Sequence, residues 1–67
     1  MPFIQVTIME GRTLDQKEQL IYELSHATAK ALQSSIENIR VSINEIPSNH
    51  WGIAGESVYK RNNTLMG

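Results

Sequence analysis

Hydrophobic and polar positions alternate from Phe3 to Met9, with Ile4, Val6 and Ile8 set against Phe3, Gln5, Thr7 and Met9. A period of two with β-branched residues on one side predicts a strand. Gly11-Arg12 reads as a turn. Thr13 is then the candidate N-cap of a helix, and Gln16 three residues on completes a capping-box pattern. Asp15 falls in the first turn, where negative charge suits the helix dipole. From Leu14 to about Gln33 the period is helical. Leu20, Ile21, Leu24, Ala27, Thr28, Ala31 and Leu32 form one apolar stripe, with Glu23, His26 and Lys30 on the polar side. Such a helix spans about 30 Å. Ser34-Ser35 breaks it, and Ile36-Glu37-Asn38 suits a short helical turn. Alternation returns from Arg40 to Ile46, with Val41 and Ile43 against Arg40, Ser42 and Asn44, which predicts a second strand. Pro47-Ser48-Asn49 is turn chemistry. His50 to Gly55 reads as a glycine-punctuated loop or small hairpin, Glu56 to Lys60 as a last helical turn, and Arg61 to Gly67 as a frayed tail.

The order strand, helix, strand predicts a parallel pair joined by a right-handed crossover. The expected fold class is therefore α+β: a β-α-β subunit with a short C-terminal hairpin, one domain over residues 1–67. The helix is expected to cover the sheet face carrying Ile4, Val6, Ile8, Val41 and Ile43. Two strands are too few for a stable sheet, and parallel sheets are normally covered on both faces. The pattern thus predicts a subunit completed by oligomerisation.

Size points the same way. A chain of 67 residues without cysteine has no disulfide to support it, and a domain this small buries only about 60% of the surface its unfolded chain exposes. Its composition is 40% hydrophobic and 19% charged, which suits neither a disordered tail nor a membrane span. A formal charge of −1 supplies no basic footprint for nucleic acid or anionic lipid. Thiol nucleophiles are excluded, and His26 and His50 stand too far apart to suggest a metal site. Neither a metal nor a cofactor is expected. With no charged leader before an apolar run, the cytoplasm is the default compartment.

Familiar catalytic patterns such as Ser-His-Asp, a glycine-rich phosphate loop or paired histidines are missing. The feature that stands out is Pro2 directly after Met1. Removal of an initiator methionine before a small residue would leave a free secondary amine. An α-amino group titrates near about 7.7–8.0 in simple peptides, and a prolyl amine somewhat higher. Cationic neighbours and an apolar pocket disfavour its ammonium form, and the neutral amine is a competent general base. Arg12 follows the end of the first strand and Arg40 opens the second. In a parallel pair, Arg40 lies at the Pro2 end and Arg12 at the opposite end. A two-fold axis pairing edge strands antiparallel would carry the partner's Arg12 to the Pro2 end. Two guanidinium groups around one amine would form a clamp for carboxylates.

Pro2-Phe3-Ile4, the run Met9-Glu10-Gly11-Arg12 followed by Asp15-Gln16-Lys17, Arg40 with its strand, and His50-Trp51-Gly52-Ile53-Ala54-Gly55-Glu56 together resemble the 4-oxalocrotonate tautomerase family. The resemblance runs from Pro2 to about Lys60. It implies a small β-α-β subunit assembled as a hexamer, a trimer of dimers, and a cofactor-independent isomerase acting on unsaturated 2-hydroxy or 2-oxo (di)carboxylic acids such as 2-hydroxymuconate, in aromatic hydrocarbon catabolism. By position it implies Pro2 as catalytic base and Arg40 as the group that stabilises the enolate-like oxygen and nearby carboxylate. It also implies Arg12 as the binder of the distal carboxylate. Trp51 stands where the family more often has phenylalanine, an apolar wall beside the proline. Asn38 stands where some members have serine before the strand. Related dehalogenases and hydratases of 3-haloacrylates use a further acidic residue that has no evident equivalent here. A non-catalytic carboxylate-binding oligomer is the remaining alternative. Glu10, Glu56 and His50 are expected to be structural, and His26 to face solvent.

Overall fold

The computed structural model describes residues 1–66, with side chains through Asn62. Strand β1 (Phe3–Met9) is followed by helix α1 (Leu14–Leu32), a 3-10 turn at Ile36–Asn38, and strand β2 (Arg40–Ile46). A second 3-10 turn at Ser48–His50 leads to a hairpin of β3 (Gly52–Ile53) and β4 (Glu56–Ser57), and helix α2 (Val58–Met66) closes the chain. The β1 and β2 strands pair in parallel, from Phe3 opposite Arg40 to Met9 opposite Ile46. The ladder continues at both ends, where Arg40 N–H donates to Pro2 C=O at 3.1 Å and Glu10 N–H to Ile46 C=O at 2.9 Å.

Local chemistry sets the boundaries. Gly11 turns the chain at φ 122°, a conformation that side chains rarely tolerate. Thr13 then caps α1: its Oγ1 accepts Gln16 N–H at 3.1 Å, and Gln16 Oε1 accepts Thr13 N–H at 3.0 Å, completing the expected capping box. The helix ends on Gln33 in the left-handed region at φ 54°, and Ser34 N–H returns to Ala29 C=O at 3.0 Å. Ala54 and Gly55, at φ 54° and 85°, form the two-residue corner between β3 and β4, where both central positions of a type I′ turn need positive φ.

Burial follows the alternation in the strands and only half of the stripe in the helix. Ile4, Val6, Ile8, Val41 and Ile43 are half-buried on the sheet face beneath α1, with Leu20, Leu24 and Thr28 above them. Ile21 and Leu32, assigned to the same stripe, are 41% and 59% exposed. A two-stranded sheet is too narrow to cover the full apolar width of the helix. The C-terminal segment also departs from expectation. Glu56 and Ser57 belong to β4, so the helix starts only at Val58, and it continues to Met66 where a frayed tail was expected. Position 67 lies outside the described residues.

Among the described residues only Ile39 is buried, at 7% exposure. The other sheet face stays open, with Phe3 61% exposed. The hairpin and α2 pack chiefly on each other and on the Ser48–His50 turn, so they extend from the β-α-β unit as an arm. The radius of gyration is 15.7 Å, whereas a compact chain of this length reaches about 11 Å. Its accessible surface of 5287 Å² likewise exceeds the roughly 4300 Å² of a compact monomer of this mass. The chain has the shape of a part.

Candidate active site

The parallel register decides what one chain can bring together. Pro2 and Arg40 meet at the start of the strand pair, joined by the 3.1 Å bond from Arg40 N–H to Pro2 C=O. Asn38 is beside them, at the end of the 3-10 turn that leads into β2, with its N–H donating to Ser35 C=O at 2.9 Å. Pro2 is half-buried, whereas Asn38 and Arg40 are exposed. Met1, 83% exposed, is joined to Pro2 through its nitrogen, which is an amide until that bond is cut.

Arg12 lies beyond the opposite end of β1. Six residue steps of about 3.3 Å separate Phe3 from Met9, so the two ends stand about 20 Å apart. There Arg12 lines an open groove of about 300 Å³ with Ile8, Gln16, Lys17 and Leu20. Trp51 is half-buried and is reached from this same end of the sheet, through the Ser48–His50 turn. A single chain therefore unites Pro2, Asn38 and Arg40 but leaves Arg12 remote, as the strand order predicts.

Charge is unevenly distributed over these groups. The only ion pair among the described residues joins Lys17 Nζ and Glu45 Oε1 at 3.0 Å, tying α1 to the end of β2. Arg12 and Arg40 accordingly have no carboxylate partner among the described residues. Arg40 is nonetheless held, since its Nη1 donates to Glu37 C=O at 2.7 Å and to Ile39 C=O at 3.2 Å. His26 is exposed on α1 and lies against Tyr22, with ring centroids 4.1 Å apart and the planes tilted by 43°. No group of three or more His, Cys, Asp or Glu among the described residues could hold a metal ion. No helix among them is long and apolar enough to cross a membrane. Ser35 was passed over in the sequence as a helix breaker, yet it caps the turn that presents Glu37 C=O, its Oγ accepting Glu37 N–H at 3.2 Å. The signal was a serine immediately before a short polar turn, too brief to show periodicity.

The strand-helix-strand fold of this subunit recurs in known proteins. The sequence model of the tautomerase enzyme family matches residues 2–61. The chain belongs to this family and is an isomerase of the tautomerase type. It is 50% identical over 62 residues to a 2-hydroxymuconate tautomerase of Pseudomonas putida, an alignment covering 92% of this chain and 98% of that protein. Among solved structures it is similar to a heterohexamer 4-oxalocrotonate tautomerase from Chloroflexus aurantiacus J-10-fl. That match has a TM-score of 0.87 and 35% identity, over 90% of this chain and 97% of the other. A 4-oxalocrotonate tautomerase isozyme from Methylibium petroleiphilum gives a TM-score of 0.91 and 30% identity, over 94% and 98% of the two chains.

Proposed function

We propose that the chain, after loss of Met1, is a cofactor-independent tautomerase of unsaturated 2-hydroxy or 2-oxo dicarboxylic acids such as 2-hydroxymuconate, working as a homo-hexamer built as a trimer of dimers. The observation that carries this reading is the split of Pro2 with Arg40 and of Arg12 between opposite ends of one strand pair. Neither arginine has a carboxylate partner among the described residues. Similarity to 2-hydroxymuconate tautomerase supplies the substrate class.

In the proposed reaction the neutral Pro2 amine accepts the proton of the substrate's 2-hydroxyl. The oxygen lone pair forms the C2 carbonyl, the π electrons move along the conjugated chain, and a distal carbon takes the proton back from the prolyl ammonium. Base and proton count are restored. Arg40 stabilises the charge developing on the C2 oxygen and holds the adjacent carboxylate, an interaction that strengthens in a partly dry site. Arg12 of another copy grips the distal carboxylate through its planar fork. Asn38 and, like Arg12, the Trp51 of another copy complete the lining; the apolar indole and the cationic neighbours both favour the neutral amine.

Ketonisation of 2-hydroxymuconate followed by proton NMR tests the base directly. Pro2→Ala is expected to lower kcat by about 10²- to 10⁴-fold. Comparable rates in the two proteins, with Met1 shown by mass spectrometry to be absent from both, would overturn the assignment.

A further inference from the structure

Among the described residues, Arg40 is the one arginine in the proposed site whose guanidinium the chain itself holds, and the way it is held selects which of its donors face a ligand. A guanidinium carries five N–H donors in a rigid plane. Nη1 spends its two on Glu37 C=O, at 2.7 Å, and Ile39 C=O, at 3.2 Å. The edge formed by Nε and Nη2 meets no acceptor among the described residues, and it is an edge that can grip a carboxylate with two parallel bonds. Those two carbonyls belong to the Ile36–Asn38 turn and the residue after it, which is Ile39, the one buried residue of the described chain. Ser35 fixes the start of that turn: its Oγ accepts Glu37 N–H at 3.2 Å, and its backbone carbonyl accepts Asn38 N–H at 2.9 Å.

We infer that Ser35 is a positioning residue for Arg40: by capping the Ile36–Asn38 turn it aims the Glu37 carbonyl at Nη1 and so presents the Nε/Nη2 edge of Arg40 to the substrate carboxylate. The inference rests on the proposed role of Arg40 and deepens it by naming both the binding edge and the residue that orients it. Serine and asparagine cap with similar strength, whereas alanine does not cap. The turn should therefore respond to the two substitutions in opposite ways.

The test is a double-mutant cycle on ketonisation of 2-hydroxymuconate, with folding checked by circular dichroism and assembly by size-exclusion chromatography. Ser35→Ala is expected to lower kcat/KM about 3- to 10-fold in the wild-type background, and Ser35→Asn to restore it. In an Arg40→Ala background, Ser35→Ala should cost nothing further, because the group it orients is gone. An equal loss in both backgrounds, or no loss in the wild type, overturns the inference while leaving the tautomerase reading intact. Wild-type kcat/KM in Arg40→Ala alone overturns the role given to Arg40 in that reading.

Discussion

The two ends of the β1-β2 pair are built in opposite ways. At the Pro2 end, the start of β2 is tied to Pro2 C=O, a capped turn holds the Arg40 guanidinium, and Ile39 is buried. At the other end, Arg12 lies exposed on the rim of an open groove, and the fixed charges there, Lys17 and Glu45, satisfy each other. One end is finished within the chain and the other awaits a complement. In the proposed reading, the difference separates the base and the grip on the adjacent carboxylate from the grip on the distal carboxylate. The rigid end suits groups that must be aimed, and the open end suits a group that is lent to a neighbour.

The sharpest way to break that comparison is to damage one end per chain. Pro2→Ala and Arg12→Ala chains are each expected to be poor catalysts of 2-hydroxymuconate ketonisation. Unfolded together and refolded as a mixture, they should regain activity at about a quarter of the sites if each site takes its proline and its Arg12 from different copies. Activity no greater than the sum of the separate proteins would place all the parts in one copy. A smaller effect is expected from Arg12→Ala alone. KM for a dicarboxylate should rise about 10- to 100-fold, as for a lost hydrogen-bonded charge, while KM for the monocarboxylate phenylenolpyruvate stays near that of the unaltered protein. Equal changes on both substrates would deny Arg12 the distal carboxylate.

The smallest effect concerns the floor of the open end. Gln16 lines the Arg12 groove and also closes the capping box with Thr13. Thr13→Ala should cost about 1 kcal/mol of stability, read as a lower thermal midpoint. An unchanged midpoint would mean that the box contributes nothing to the α1 terminus.

Much of this was legible in the residues themselves. Alternation at Phe3–Met9 and Arg40–Ile46 gives both strands, and Thr13 with Gln16 marks where α1 starts, because those signals act over a few residues and need no partner. Parallel pairing follows from the crossover, and with it the separation of Arg12 from Pro2. The apolar stripe was overread at Ile21 and Leu32, because periodicity reports which residues could be covered and not how wide the cover is. The extent of α2 was missed because Arg61-Asn62-Asn63-Thr64 carries no apolar rhythm. Among the candidate site residues, Pro2, Arg12 and Arg40 could be placed from strand order alone, whereas Asn38 and Trp51 entered only through the family resemblance. The hold of Glu37 C=O on Arg40 could not, since it depends on backbone direction within a single turn.

Proline contributes to the β1-β2 ladder through its oxygen alone. Position 2 is fixed in the sheet by what it accepts, and its nitrogen, lacking a hydrogen in the peptide-linked form, bears no load. In the proposed reading, excision of Met1 would expose the ring nitrogen without removing the bond that Pro2 C=O accepts from Arg40 N–H. A maturation step of that kind would be insulated from the folding of the chain that undergoes it.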